Sequence, residues 1–113
     1  MTLRELNQLR YLRQELPTDR RRLAALVRER PDNPAEAAEM CGRIAERMKR
    51  CAAEIARLEA YITAIDDSLT RQAFVLRFSD GLSWRAVAYR IGGGNTADGI
   101  RMQCVRYLQR NGG

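Results

Sequence analysis

A chain of 113 residues has room for one small domain, or a small domain with an extended helical element, and little room for a large substrate cavity. Twenty Lys and Arg against 14 Asp and Glu give a net charge of +6, and every cation except Lys49 is Arg, the side chain best suited to bidentate phosphate and guanine contacts. With no His in the chain, nucleophile–base pairs that rely on imidazole are excluded, so no enzyme and no small-molecule substrate are expected.

Three cysteines, Cys41, Cys51 and Cys104, form no CxxC pair. Without His they cannot complete a zinc site, and an odd count argues against a disulfide framework. No metal and no cofactor are therefore expected. The N-terminus lacks an apolar signal core, and no stretch approaches the roughly twenty apolar residues of a membrane span. A reducing, cytoplasmic location follows as an expectation. Charge is unevenly distributed. Residues 1 to 34 carry eight basic and five acidic groups, residues 35 to 67 five and seven, and residues 68 to 113 seven and two. A polyanion would be drawn to the last third.

In chain order, Leu9, Leu12, Leu16, Leu23 and Leu26 recur in steps of three and four, with Asp19 in the apolar stripe and Pro17 just before it. Because proline removes a backbone donor and crowds the preceding turn, helices are expected over 2–16 and 18–30. The run "RPDNP" at 30–34 is expected to reverse the chain. Asn33 then caps a long helix that begins at Pro34 and runs to about Asp66. Its seam, Cys41, Ile44, Met48, Cys51, Ile55, Leu58, Ile62, Ile65 and Leu69, follows heptad spacing without a miss. Ala38, Ala45 and Ala52 flank that seam, which widens the apolar face and implies more than one partner helix.

Beyond the long helix, Asp67 or Ser68 is suited to cap a helix with Leu69, Ala73, Phe74, Leu76 and Phe78 inward. "SDGLS" at 79–83 reads as a tight turn, and Ser83 as the cap of a helix through Ile91 with Leu82, Val87, Ala88 and Ile91 inward. Trp84 is expected to pack against Phe74 or Phe78. Gly92 supplies a positive φ in the "GGGN" turn, and Thr96 caps a last helix to about Arg110 with Ile100, Cys104, Tyr107 and Leu108 inward, closed by Asn111 and Gly112. The glycine run lacks the Lys and the Ser or Thr of a phosphate loop.

The fold expected is all-α: an antiparallel, coiled-coil-like helical hairpin over 1–67, followed over 68–113 by a three-helix domain whose last two helices form a helix-turn-helix. The last helix then turns Ala97, Asp98, Arg101, Met102, Val105, Arg106 and Gln109 outward. Thr96, Ala97, Asp98, Arg101 and Met102, at its start, are the candidates to read bases, and Arg85, Arg90, Arg106 and Arg110 to hold phosphates. Ile44, Met48, Cys51, Ile55, Leu58, Ile62 and Ile65 are the candidate hairpin or oligomer seam.

The run "LTRQAFVLRFSDGLSWRAVAYRIGGGNTADGIRMQCVRYLQR", residues 69–110, resembles region four of the sigma-70 family of RNA polymerase factors in its "LRF" helix, "GLS" turn, "VAxxIG" helix and Thr-capped last helix. "LSWRxVAxxIGGGNTxDxIR" followed by "YL" also resembles small phage or prophage proteins that place a helical hairpin before such a domain. The resemblance implies a DNA-reading role for Thr96, Asp98, Arg101 and Met102, with RNA polymerase as a further partner. The turn from Gly92 to Thr96 is about two residues longer than is usual in that family, and nothing resembles the promoter-melting region. Three roles follow: a sigma-like transcription regulator, a homodimer through its hairpin; a small terminase-type DNA-packaging subunit; or a coiled-coil interaction protein that never meets DNA.

Overall fold

Two features of the chain dictate its elements: apolar residues at helical spacing, and side chains that cap at the boundaries. The computed structural model describes residues 1–29 and 32–111, and among these the chain is helical without a strand. Thr2 accepts from the Glu5 N–H at 3.1 Å and so caps α1 (Leu3–Asn7). At Gln8 the N–H turns to the Glu5 carbonyl, 3.1 Å away, and α2 (Leu9–Arg28) follows at once.

The break expected at Pro17 is not there; α2 runs through it. Pro17 is exposed, and the next residue, Thr18, donates its hydroxyl to the Gln14 carbonyl at 3.1 Å. Keeping the leucine stripe in phase outweighs the lost hydrogen bond. The chain reversal expected at "RPDNP" falls partly on Arg30 and Pro31, and Gly112 closes the expected last helix; these three residues lie outside the described ones. Asn33 caps α3 (Pro34–Thr63), accepting from the Glu36 N–H at 3.2 Å. This helix stops three residues short of Asp66, with helical bonds continuing to Ile65.

The chain divides into two compact units: residues 11–56, and residues 1–10 together with the chain from Arg57 onward. In the first, the Cys51 thiol donates to the Leu12 carbonyl at 3.4 Å and Arg47 grips Asp19, so contacts on α2 and α3 run in opposite sequence order. Asp19, the polar residue in the leucine stripe, is 4% exposed at its side chain. Arg47 donates to both carboxylate oxygens, Nε at 2.9 Å and Nη2 at 2.6 Å, in the bidentate geometry guanidinium favours. The expected widening of the α3 face does not hold within the chain: Ala38, Ala45 and Ala52 are all exposed. Alanines between charged residues bury too little area to recruit a second helix.

In the second unit, Asp67 caps α4 (Ser68–Phe74), which passes into a π-helical turn, Val75–Ser79. α5 (Trp84–Ile91) and α6 (Ala97–Arg110) follow, and α4, α5 and α6 pack pairwise. Phe74 is fully buried among rings, with centroids 5.2 Å from Phe78, 5.6 Å from Tyr107 and 6.5 Å from Tyr61. The wider π turn lets Phe78, four residues on, meet Phe74 edge to face and Trp84 at 6.0 Å. Leu6, Leu58, Ile62, Ile65, Val87, Ile100, Cys104 and Leu108 are buried in the same unit. Burial pushes the Cys104 thiol up to about 12, so it stays protonated and behaves as a small apolar group. No helix among the described residues is long and apolar enough to cross a membrane.

Phe74→Ala should remove about 3 to 5 kcal/mol of stability, read by chemical denaturation, because three rings lose their common partner. A second expectation concerns acid. The Arg47 guanidinium beside Asp19 holds its carboxyl below the usual carboxylate range. Such a group stabilises the fold above its unfolded pKa, and that contribution fades as pH falls through the folded value. Asp19→Asn should therefore lower the thermal midpoint at neutral pH, with the gap to the parent closing below about pH 4. A gap constant with pH would show that the ion pair contributes nothing.

Candidate nucleic-acid interface

The surface most suited to a polyanion is built on α5 and α6, and local hydrogen bonds set its shape. Ser83 Oγ accepts from the Ala86 N–H at 3.1 Å to start α5, and Thr96 Oγ1 accepts from the Gly99 N–H at 3.0 Å to start α6. A Cβ on Gly99 would lie 3.0 Å from that hydroxyl, a tight contact. Between the helices, Gly92, Gly93 and Gly94 take φ of 70°, 66° and 79° in succession. Three consecutive left-handed residues are accessible without strain only to glycine. Asn95 closes the turn, its side-chain amide donating to the Gly92 carbonyl at 2.8 Å and its backbone N–H at 3.3 Å.

Ile100, Cys104 and Leu108 hold one stripe of α6 inward, as their spacing requires. Thr96, Asp98 and Arg101 are exposed, whereas Ala97 and Met102 are half-buried. Asp98 is 94% exposed and its carboxylate lies 4.0 Å from Arg101 Nε, a surface pair at the limit of contact that a phosphate or base could replace. Val105, expected on the open face, is half-buried and lines a groove with Met1, Thr2 and Leu3. Gln109 is exposed at the rim of that groove.

Arg85, Arg90, Arg106 and Arg110 are all exposed, and among the described residues none has a carboxylate within ion-pair distance. The other two arginines of this stretch are structural. Arg71 donates to the Ile65 carbonyl at 2.7 Å, and Arg77 to the Leu82 carbonyl at 3.0 Å while lying 4.8 Å over the Trp84 ring. Burial, then the nearby Arg10 charge, lower the Arg77 pKa.

Of the seam residues, Ile44, Cys51, Leu58, Ile62 and Ile65 are buried within the single chain, and Met48 and Ile55 are half-buried. Among the described residues no group of His, Cys, Asp and Glu is placed to hold a metal ion.

Sequence reasoning missed a buried polar relay from α4 to α6. Thr70, 2% exposed, donates its hydroxyl to Asp67 Oδ2 at 2.5 Å and accepts from Gln103 Nε2 at 3.1 Å. The Thr70 hydrogen bonds hold the Asp67 carboxyl below its usual range. Thr70 sits three residues after a capping Asp, a local signal for the first link, but nothing in the spacing points to Gln103. Compared with known protein families, with curated proteins and with solved structures, the chain matches none of them.

Thr96→Ala should cost about 1 kcal/mol by removing the cap of α6, while Thr96→Ser should restore most of it. Equal thermal midpoints for parent and alanine variant would show that the cap carries no weight.

Proposed function

We propose that the chain is a sequence-specific DNA-binding protein in which α5, the glycine turn and α6 act as a helix-turn-helix and α6 enters the major groove. The observation that carries this reading is the set of exposed arginines, Arg85, Arg90, Arg106 and Arg110, with no carboxylate within ion-pair distance among the described residues, on two helices packed together and joined by a short turn. Excess fixed positive charge on a helical pair of this kind favours a polyanion, since each neutralised phosphate releases counterions. In this reading Thr96, Ala97, Asp98, Arg101 and Met102 face base edges, and Arg85, Arg90, Arg106 and Arg110 hold the backbone.

The resemblance to sigma region four favours a phage-type transcription regulator, not an enzyme, over a packaging subunit or a coiled-coil interaction protein. α2 and α3 then form an antiparallel hairpin that dimerises the protein or binds a partner such as RNA polymerase. A two-fold dimer would protect half-sites about 34 Å apart, or multiples of that distance. Footprinting across the neighbouring genomic DNA should reveal such sites, and no protection at moderate salt would overturn the reading.

The two classes of arginine are separable. Arg101→Ala should cost about 1 to 3 kcal/mol on the preferred site and relax sequence preference, whereas Arg106→Ala should weaken all duplexes alike and flatten the salt dependence by about 0.9. Identical effects from both, measured on specific and scrambled duplexes, would defeat this assignment of roles.

A further inference from the structure

We infer that Tyr89 is a further contact residue for the sugar-phosphate backbone of duplex DNA, completing a clamp on the outer face of α5 with Arg85 and Arg90; this rests on the DNA-binding reading above. The core-facing side of α5 is fully used by Val87 and Ala88, while its other side leaves Tyr89 88% exposed. That ring contributes nothing to the core, and tyrosine is a poor residue for promoting a helix of only eight residues. An aromatic side chain with an apolar body and a donor tip is instead well suited to an external partner.

Its surroundings specify the partner's chemistry. An open groove of about 420 Å³ is lined by Leu82, Ser83, Arg85, Ala86, Tyr89 and Arg90, with two cations and no acid. Neither guanidinium has a carboxylate in reach among the described residues, and the Tyr89 phenol has no hydrogen-bond partner there. The occupant must therefore be anionic. Arg85 and Arg90 are separated by five residues, an advance of about 7.5 Å along α5. A strand that presents a charge about every 3.4 Å of helix axis can engage both. Leu82 and Ala86 form an apolar floor against which sugar rings can rest, and the Tyr89 hydroxyl is left to donate to a phosphate oxygen.

The test uses the full chain, a short fluorescent duplex of arbitrary sequence, and anisotropy measured across a salt series. Arg85→Ala and Arg90→Ala should each flatten the slope of log affinity against log salt by about 0.9. Tyr89→Ala should weaken binding about ten-fold at fixed salt, the scale of a hydrogen bond to a charged group, with the slope unchanged because phenol is neutral. Tyr89→Phe should reproduce most of that loss. The three side chains changed are all solvent-facing, and circular dichroism checks that each variant keeps its helices. Parent-like affinity and slope in every variant would overturn the clamp while leaving DNA binding by α6 intact. No binding by the parent chain would overturn the DNA reading and the clamp together. Losses confined to a poly-glutamate probe, with duplex affinity unmoved, would assign the groove to an acidic protein segment and overturn the inference.

Discussion

Phe74 is the side chain on which the C-terminal packing depends, because it meets rings from three separate elements at once. Tyr61 comes from the end of α3, Phe78 from the π turn and Tyr107 from the last full turn of α6. The Phe78 and Tyr107 rings meet Phe74 edge to face, which makes those contacts directional as well as apolar, so the cluster fixes rotation as well as distance. α6 is held by Tyr107 near one end and by Ile100 near the other, which leaves its outward face little freedom to turn. Any reading of bases by that face would draw on this rigidity, since a contact residue displaced by an ångström loses its hydrogen bond.

The polar groups of the same unit divide into those satisfied inside and those left for something outside. Thr70 ties the cap of α4 to Gln103 of α6, and Arg77 closes the loop at Leu82 while covering Trp84. Arg71 serves the backbone carbonyls at the end of α3. Seven arginines give this region its positive charge, yet two of them are already committed to main-chain oxygens. The cations available to a ligand are thus fewer than composition suggests, and they lie on α5 and α6. An arginine that donates to main-chain carbonyls gives up those hydrogen bonds if it turns to anything else.

What was legible in the sequence was what chemistry decides locally. Asn33, Asp67, Ser83 and Thr96 cap the helices their positions suggested, and each uses the N–H three residues ahead. Gly92 takes the positive φ that its place at the end of α5 required, and the inward stripe of α6 follows from its spacing. Pro17 misled because a local penalty was weighed without the stripe that spans it. The alanines beside the seam misled for the opposite reason, since small apolar residues between charges look inward by period alone. Neither the Arg47 grip on Asp19 nor the Gln103 bond to Thr70 was visible, as each joins residues about thirty positions apart with no periodic signature.

That long-range pair also changes the meaning of the heptad pattern. A carboxylate in an apolar stripe is costly unless a partner stands opposite, and the pairing that sets residue 19 against residue 47 supplies two hydrogen bonds. Arg43 and Arg50 stand one helical turn to either side of Arg47 on α3, so a slip by one turn would still offer Asp19 a guanidinium. The polar interruption therefore adds a directed contact to the apolar stripe without by itself fixing the register. A second copy that paired through this stripe would have to open the Asp19–Arg47 bonds and offer the same partner in trans. A regular heptad seam is thus evidence for a partner helix without saying whether that helix belongs to the same chain; here the polar exception, more than the apolar rule, answers that question for the stretch around Asp19.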